Sequence, residues 1–289
     1  MDTIETLQGS LIQHGPHSDR VYVMRLNTAD VPGLLSSVEA LARDRGYGKI
    51  FAKIPAEAWP AFKSDGYVEE AMVPGFFNGR SDGHFVAKYL SAERQALTPA
   101  DKRLQDAFAG LEEMADPAGR TNPSDVQVAP ATLSDAGAMS AIYRQLFPSY
   151  PFPIHDPACL EGMMREGVRY FCIRLHGDIV AMAAAEVDAE AENVEMTDFA
   201  TRPEWRGRGL AGALLRHMDG NMRADGIRTA YTIARATSRG MNAVFEHNGY
   251  RYAGFLKNNT QIGGTIESMT VWYKRLAGEG GCHTGGTGL

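Results

Sequence analysis

Between residues 193 and 235 the hydrophobic positions change period twice. Asn193–Thr201 alternates apolar and polar side chains, Leu210, Leu214, Leu215, Met218 and Met222 then recur at helical spacing, and Thr229–Ala234 alternates again. The pattern predicts a strand, an amphipathic helix and a second strand. The same cadence occurs earlier in the chain: Leu34–Pro55, like Leu214–Ala236, reads as a helix ending at a glycine followed by an alternating strand. Ala61–Leu90 likewise parallels Val244–Leu276, each with a helix, a Gly-Tyr pair, a strand, a polar loop and a last strand ending in leucine. The offset is 180 positions between Gly46 and Gly226, 183 between Gly66 and Gly249, and 186 between Leu90 and Leu276. Two α/β units of one layout are expected, the first smaller. Their boundary falls at Ala115–Ser124, rich in Pro, Gly and small polar residues. Leu97–Met114 reads as a bridging helix, with Thr98 as its cap and Pro99 in its first turn. The divisions expected are 1–96, 97–125, 126–276 and a tail, 277–289, with too little apolar surface to order itself.

Composition narrows the class of function. The 289 residues are 44% hydrophobic and 22% charged, with a formal net charge of -6. That balance disfavours nucleic acid, whose phosphates need concentrated Lys and Arg, and suits a small cationic partner. No apolar run is long enough to span a membrane and no secretory leader opens the sequence, so a cytoplasmic location is expected. The three cysteines, Cys159, Cys172 and Cys282, are scattered, so buried thiols are expected rather than a disulfide framework or a metal site.

The candidate chemistry sits where the alternating strand runs into the helix. A helix start offers unpaired N–H groups and roughly half a positive charge, a natural seat for an anion. Here Gly207 and Gly209 clear side chains from the approach, Arg206 and Arg208 add charge, and Ala211 keeps the first turn slim. Gly207–Gly212 also satisfies the dinucleotide pattern GxGxxG. That reading wants the glycines directly after a buried strand and an acidic residue at the end of the next one. Pro203, Glu204 and Trp205 intervene, however, and Thr229–Ala234 is followed by Arg235. The segment Arg206-x-x-Gly209-x-Ala211 instead resembles the acyl-CoA signature of the GNAT N-acetyltransferases, and Asn242 to Tyr250 resembles their second conserved block. In wording and order, Ile12–Gly15, Lys49–Pro55, Gly66–Ala71 and Pro74–Gly79 further resemble the AblB-type β-lysine N-acetyltransferases, over about residues 10–276.

The resemblance implies an α/β GNAT fold over 126–276, with a mixed, splayed central sheet, and a degenerate GNAT-like unit before it. It places a first strand near Val126–Leu133, helices at Ala136–Phe147 and Ala158–Glu166, and a meander over Arg169–Ala200. It implies acetyl-CoA as co-substrate, no metal, and transfer to the side-chain amine of β-lysine, giving Nε-acetyl-β-lysine, a compatible solute. The cofactor contacts it implies are Phe199, Ala200, Thr201, Arg206, Gly207, Arg208, Gly209, Leu210, Ala211, Asn242 and Phe245. The earlier unit carries Asp30-Val-Pro-Gly33 where the phosphate turn would lie, so no CoA is expected there.

An alkylamine of pKa near 10.4 is only about 0.04% neutral at pH 7, so a carboxylate should face the nucleophile. By analogy with relatives that use a glutamate base eleven residues ahead of the signature arginine, Glu195 is the candidate, with Asp198 second. Alternation places Glu195, Thr197, Phe199 and Thr201 on one face and Asp198 on the other. By the same analogy the Phe199 N–H faces the developing oxyanion and Thr201 pairs with the pantetheine arm. The tyrosine that protonates the leaving thiolate in the family is Phe245 here, leaving water, Tyr250 or Tyr231 as donors. For the acceptor, Tyr150, Phe152 and His155 lie in the Pro-rich Phe147–Pro157 loop, and Arg80, near Phe76 and Phe77, offers a bidentate partner for a carboxylate. Other readings remain: a polyamine or other small-amine acetyltransferase, a protein-lysine acetyltransferase, or a non-catalytic acyl-CoA sensor. A homodimer is compatible with the sequence.

Overall fold

The computed structural model describes residues 2–110 and 126–276. The Ala115–Ser124 linker, the end of the bridging helix, Cys282 and the 277–289 tail lie outside the described residues. In chain order the elements are β1 (Thr3–Leu7), β2 (Ser10–Gly15), β3 (Arg20–Arg25), α1 (Val31–Asp44), β4 (Lys49–Pro55), α2 (Trp59–Ser64), β5 (Val68–Phe77), β6 (Ser81–Tyr89), α3 (Ala92–Gln95) and α4 (Pro99–Ala109). They continue with β7 (Val128–Pro130), α5 (Ala136–Leu146), α6 (Pro157–Arg165), β8 (Arg169–Leu175), β9 (Asp178–Asp188), β10 (Asn193–Thr201), α7 (Leu210–Ala224), β11 (Thr229–Arg235), α8 (Arg239–His247), β12 (Arg251–Ile262) and β13 (Thr265–Arg275).

All the strands join one mixed sheet in the order β1-β2-β3-β4-β6-β5-β12-β13-β11-β10-β9-β8-β7. Its two ends share a wiring. β3 pairs parallel with β4 as β10 does with β11, and β6 lies between β4 and β5 as β13 lies between β11 and β12. The halves meet where β5 and β12 pair at Ala71 and Gly254. A side chain at Gly254 would stand 2.2 Å from the Glu70 carbonyl, so only glycine lets these strands close. A buried ion pair locks the seam: Lys49 Nζ lies 2.7 Å from Glu70 Oε2 and also donates to the Lys257 carbonyl, while the Lys257 N–H donates to Glu70 Oε1. The Tyr89 hydroxyl also donates to Glu70 Oε1, so both carboxylate oxygens are engaged, which is what makes a buried pair tolerable.

Strand alternation sends successive side chains to opposite faces. Ala181, Ala183, Ala185, Val194 and Met196 pack under α7 through Leu210, Leu214, Leu215, Met218 and Met222, whereas Met182 and Ala184 pack under α5 and α6. In the first half Val21, Val23, Ile50, Ala52 and Ile54 pack under α1, leaving Tyr22 and Phe51 to the other face. That other face carries α5, α6 and the cavity described below.

Several boundaries differ from the sequence expectation for local reasons. The strand near Val126–Leu133 shortens to Val128–Pro130 because Thr132 and Asp135 form a capping box ahead of α5. Phe108 of α4 stacks on Tyr252 and meets Trp272 edge-on, so that helix packs on the second half. Cys172 is buried as expected, but Cys159 is only half-buried.

Candidate active site

β10 and β11 run side by side only from Asn193 to Glu195 and from Thr229 to Tyr231. Beyond that they diverge, and the wedge between them opens into a cavity of about 1280 Å³ lined by both halves of the chain. On its other edge β10 breaks register with β9 between Thr197 and Ala200, and Asp198 takes φ 55° to accommodate the bulge. The bulge overturns the predicted alternation. Phe199 crosses to the α7 side with Val194 and Met196, Ala200 joins the α5 core, and the Asp198 carboxylate accepts the Tyr150 hydroxyl in the same cavity as Glu195.

Register gathers the charged groups. Glu186 of β9 stands beside Glu195 of β10, which stands beside Tyr231 of β11. The Tyr231 hydroxyl donates to Glu195 Oε2 at 2.9 Å and accepts from Lys53 Nζ at 2.8 Å; Lys53 itself is 4.0 Å from Glu195. With like charges crowded in a poorly solvated wall, burial, then Glu195 and Asp198, push Glu186 up to about 8. Burial also raises Asp198 to about 6, against the pull of the Tyr150 hydroxyl, with Glu195 adding to the rise. Burial, and then Asp198, holds the Tyr150 phenol well above its ordinary value, so it remains a donor.

The turn into α7 is open. Arg206 is extended, Gly207 (φ 75°) and Gly209 (φ 73°) occupy left-handed backbone, and no side chain caps the helix at Gly209. Arg206, Gly207, Gly209, Leu210 and Ala211 all line the cavity, as do Phe199, Ala200 and Thr201 upstream. These features fit a diphosphate at the helix start and an extended arm along the free stretch of β10. Among the described residues no group of three or more metal-ligating side chains is gathered.

Other residues singled out in the sequence are placed differently. Arg208 lies outside the cavity wall, stacked 4.4 Å over the Trp205 ring. Asn242 is buried beneath the wall, where its amide holds the Arg235 and Ser238 carbonyls and accepts from Thr270 and Trp272; it organises α8 rather than facing a ligand. Arg80 is exposed in the β5–β6 turn and does not line the cavity, although Phe76 and Phe77 do. Tyr150 and Phe152 line it, but His155 does not, because its carbonyl is fastened to Ser140 and Arg144 of α5. Phe245 is in the wall, edge-on to Phe199 at 5.6 Å. Of the alternative proton donors, Tyr250 is spent on Asp219 outside the cavity, while Tyr231 faces into it.

The cavity also holds residues that the sequence reading missed: Glu186, Lys53, Tyr22 and Arg20. Arg20 is 4% exposed, and its Nη1 donates to the Asn259 carbonyl at 2.6 Å and to Thr260 Oγ1 at 3.1 Å. The one sequence signal was a lysine and an arginine at alternating positions of otherwise apolar strands.

Comparison with known proteins agrees with this geometry. The Acetyltransferase (GNAT) family profile matches residues 138–250. A β-lysine N(6)-acetyltransferase of Methanococcus maripaludis is 34% identical over 95% of this chain and 99% of its own. An N-acetyltransferase, YodP, of Bacillus subtilis is 29% identical over 92% of this chain and 96% of its own. A β-lysine N(6)-acetyltransferase of Methanosarcina mazei is 29% identical over 84% of this chain and 97% of its own. No helix among the described residues is long and apolar enough to cross a membrane. Near-full-length identity of this order, together with the family profile, shows that the chain belongs to the GNAT family in its AblB-type branch and is an N-acetyltransferase that uses acetyl-CoA.

Proposed function

We propose that the acceptor is β-lysine and that the acetyl group goes to its N6 amine, as the names of two relatives suggest. The observation that carries this reading is the cluster of Glu186, Glu195 and Asp198 beside the bulge in β10, an acidic wall suited to a small, multiply charged ammonium. Residues 126–276 form the transferase unit in this reading, and 1–96 is its degenerate repeat, lending Arg20, Tyr22 and Lys53 to the acceptor side.

In the proposed mechanism the amides of 207–211 and Arg206 hold the diphosphate, and Thr201 aligns the pantetheine arm. Glu195 accepts the amine proton, its carboxylate fixed by the Tyr231 hydroxyl, while a protonated Glu186 spares the site a third negative charge beside Glu195 and Asp198. Freed of that proton, which would otherwise cost about 4.6 kcal/mol at pH 7, the nitrogen attacks. In this reading the Phe199 N–H, in the stretch where β10 leaves its ladder with β9, donates to the oxyanion that develops on the thioester carbonyl. Phe245 offers no proton, so collapse of the adduct breaks the C–S bond and expels the sulfur as thiolate, acceptable for a thiol of pKa near 8.5, while the remaining extra proton on the nitrogen passes to water.

The test is purified protein with acetyl-CoA and, in turn, β-lysine, α-lysine, spermidine and a lysine peptide. Thiol release gives the rate and NMR of the product locates the acetyl group. Preference for β-lysine with N6 acetylated is expected; faster transfer to any of the others would overturn the reading.

A further inference from the structure

Arg20 is a buried cation without an anion. Among the described residues no carboxylate lies within ion-pair distance of it, and its only protein acceptors are the Asn259 carbonyl and Thr260 Oγ1, both bound through Nη1. Nε is buried with no partner, and no protein acceptor meets Nη2. The engaged nitrogen therefore anchors the group to β12 from the second half, while the Nε–Nη2 edge, one of the two that grip a carboxylate with parallel hydrogen bonds, is left free. The side chain lines the cavity, its guanidinium carbon over the Tyr22 ring at 5.0 Å from the ring centre. Lys53, whose Nζ is 5.6 Å from the centre of the Tyr22 ring, is already committed to Tyr231 and Glu195. Burial lowers Arg20 only to about 10, so it stays charged at neutral pH.

We infer that the Nε–Nη2 edge of Arg20 binds the carboxylate of the acceptor, so that the first half of the chain selects an amino acid over a plain diamine and fixes which of its amines reaches Glu195. The inference rests on the β-lysine reading above and gives it a recognition residue. An exposed arginine would add little, since water competes for it. One that is 4% exposed and short of acceptors leaves part of its desolvation cost standing until a carboxylate arrives, and an acceptor lacking that group recovers none of it.

The test compares β-lysine with β-lysine carboxamide, which keeps both amines and the chain length. For the wild-type enzyme kcat/KM should favour the acid on the order of 10²-fold, mostly through KM. Arg20→Gln should collapse that ratio to within about threefold, and Arg20→Lys, which keeps the charge but loses the fork, should fall between. A wild-type enzyme that uses acid and amide equally overturns the role of Arg20 while leaving β-lysine as substrate, and this arm needs no folded variant. A ratio unchanged in Arg20→Gln overturns it too. Transfer to neither compound, with another amine used instead, overturns the β-lysine reading and this inference with it.

Discussion

The two strand-to-helix turns of this molecule occupy equivalent places in one wiring and handle the same electrostatic problem in opposite ways. At the start of α1, Asp30 caps the helix and its carboxylate accepts the Gly33 N–H at 3.0 Å. At the start of α7, the capping position is Gly209 and no side chain fills the role. A helix start attracts an anion in either case; the first half supplies one from within, and the second supplies none, which is the opening the proposed diphosphate would fill. The rows beside the turns differ similarly. Glu186, Glu195 and Tyr231 stand abreast in the second half where Gln13, Tyr22 and Phe51 stand abreast in the first. Swapping carboxylates for neutral side chains removes the chemistry but leaves an aromatic wall, with Arg20 at its end. On the proposed reading, the first half is a repeat without catalysis that still serves recognition.

The largest effect should come from giving the second turn the device of the first. Gly209→Asp places a carboxylate over the α7 start, at a left-handed position that Asp tolerates better than most residues. The acetyl-CoA Kd by calorimetry should rise by about 10²–10³-fold with no loss of thermal stability. Next, Glu195→Gln should lower kcat/KM for the amine by about 10²-fold at pH 7 and much less near pH 10, where more of the amine is neutral. Equal losses at both pH values would remove Glu195 as the base.

Smaller effects sharpen the comparison through stability. Folded Glu186 holds its proton up to about 8, against about 4.3 in an unfolded chain, so the folded state binds more protons in that window. Wild-type stability therefore falls as pH rises from about 4.3 to 8 and levels off above. Glu186→Gln escapes this, and its Tm relative to wild type should rise by a few degrees between pH 5 and pH 8; a constant difference would contradict the assigned shift. Smallest of all, Asp30→Ala should cost about 1 kcal/mol, or roughly 2–4 °C in Tm, without creating a second CoA site. Two acetyl-CoA molecules bound per chain would break the comparison.

Local pattern made much of this legible. The α7 stripe, the glycine turn and the family blocks are each short-range signals, and they located the helix, the open turn at its start and the acyl-transfer chemistry. The bulge at Asp198 was not legible, because alternation assumes an unbroken ladder and nothing in Met196–Ala200 marks where it breaks. Glu186 escaped, and Tyr231 stood out only as a proton donor, because register, not spacing in the chain, sets both beside Glu195. Arg80 stands out in the sequence and Arg20 does not for a similar reason: a turn rich in Gly and Phe looks ligand-facing, whereas Arg20 enters the cavity wall only because the chain folds β12 against it and pins one of its nitrogens.

The most direct measurement is a crystal structure with acetyl-CoA bound. The diphosphate oxygens should lie about 3 Å from the amides of 207–211, with the thioester carbonyl at the Phe199 N–H and the acetyl carbon facing Glu195. Free amides at the α7 start, or a diphosphate seated instead at the start of α1, would contradict the account.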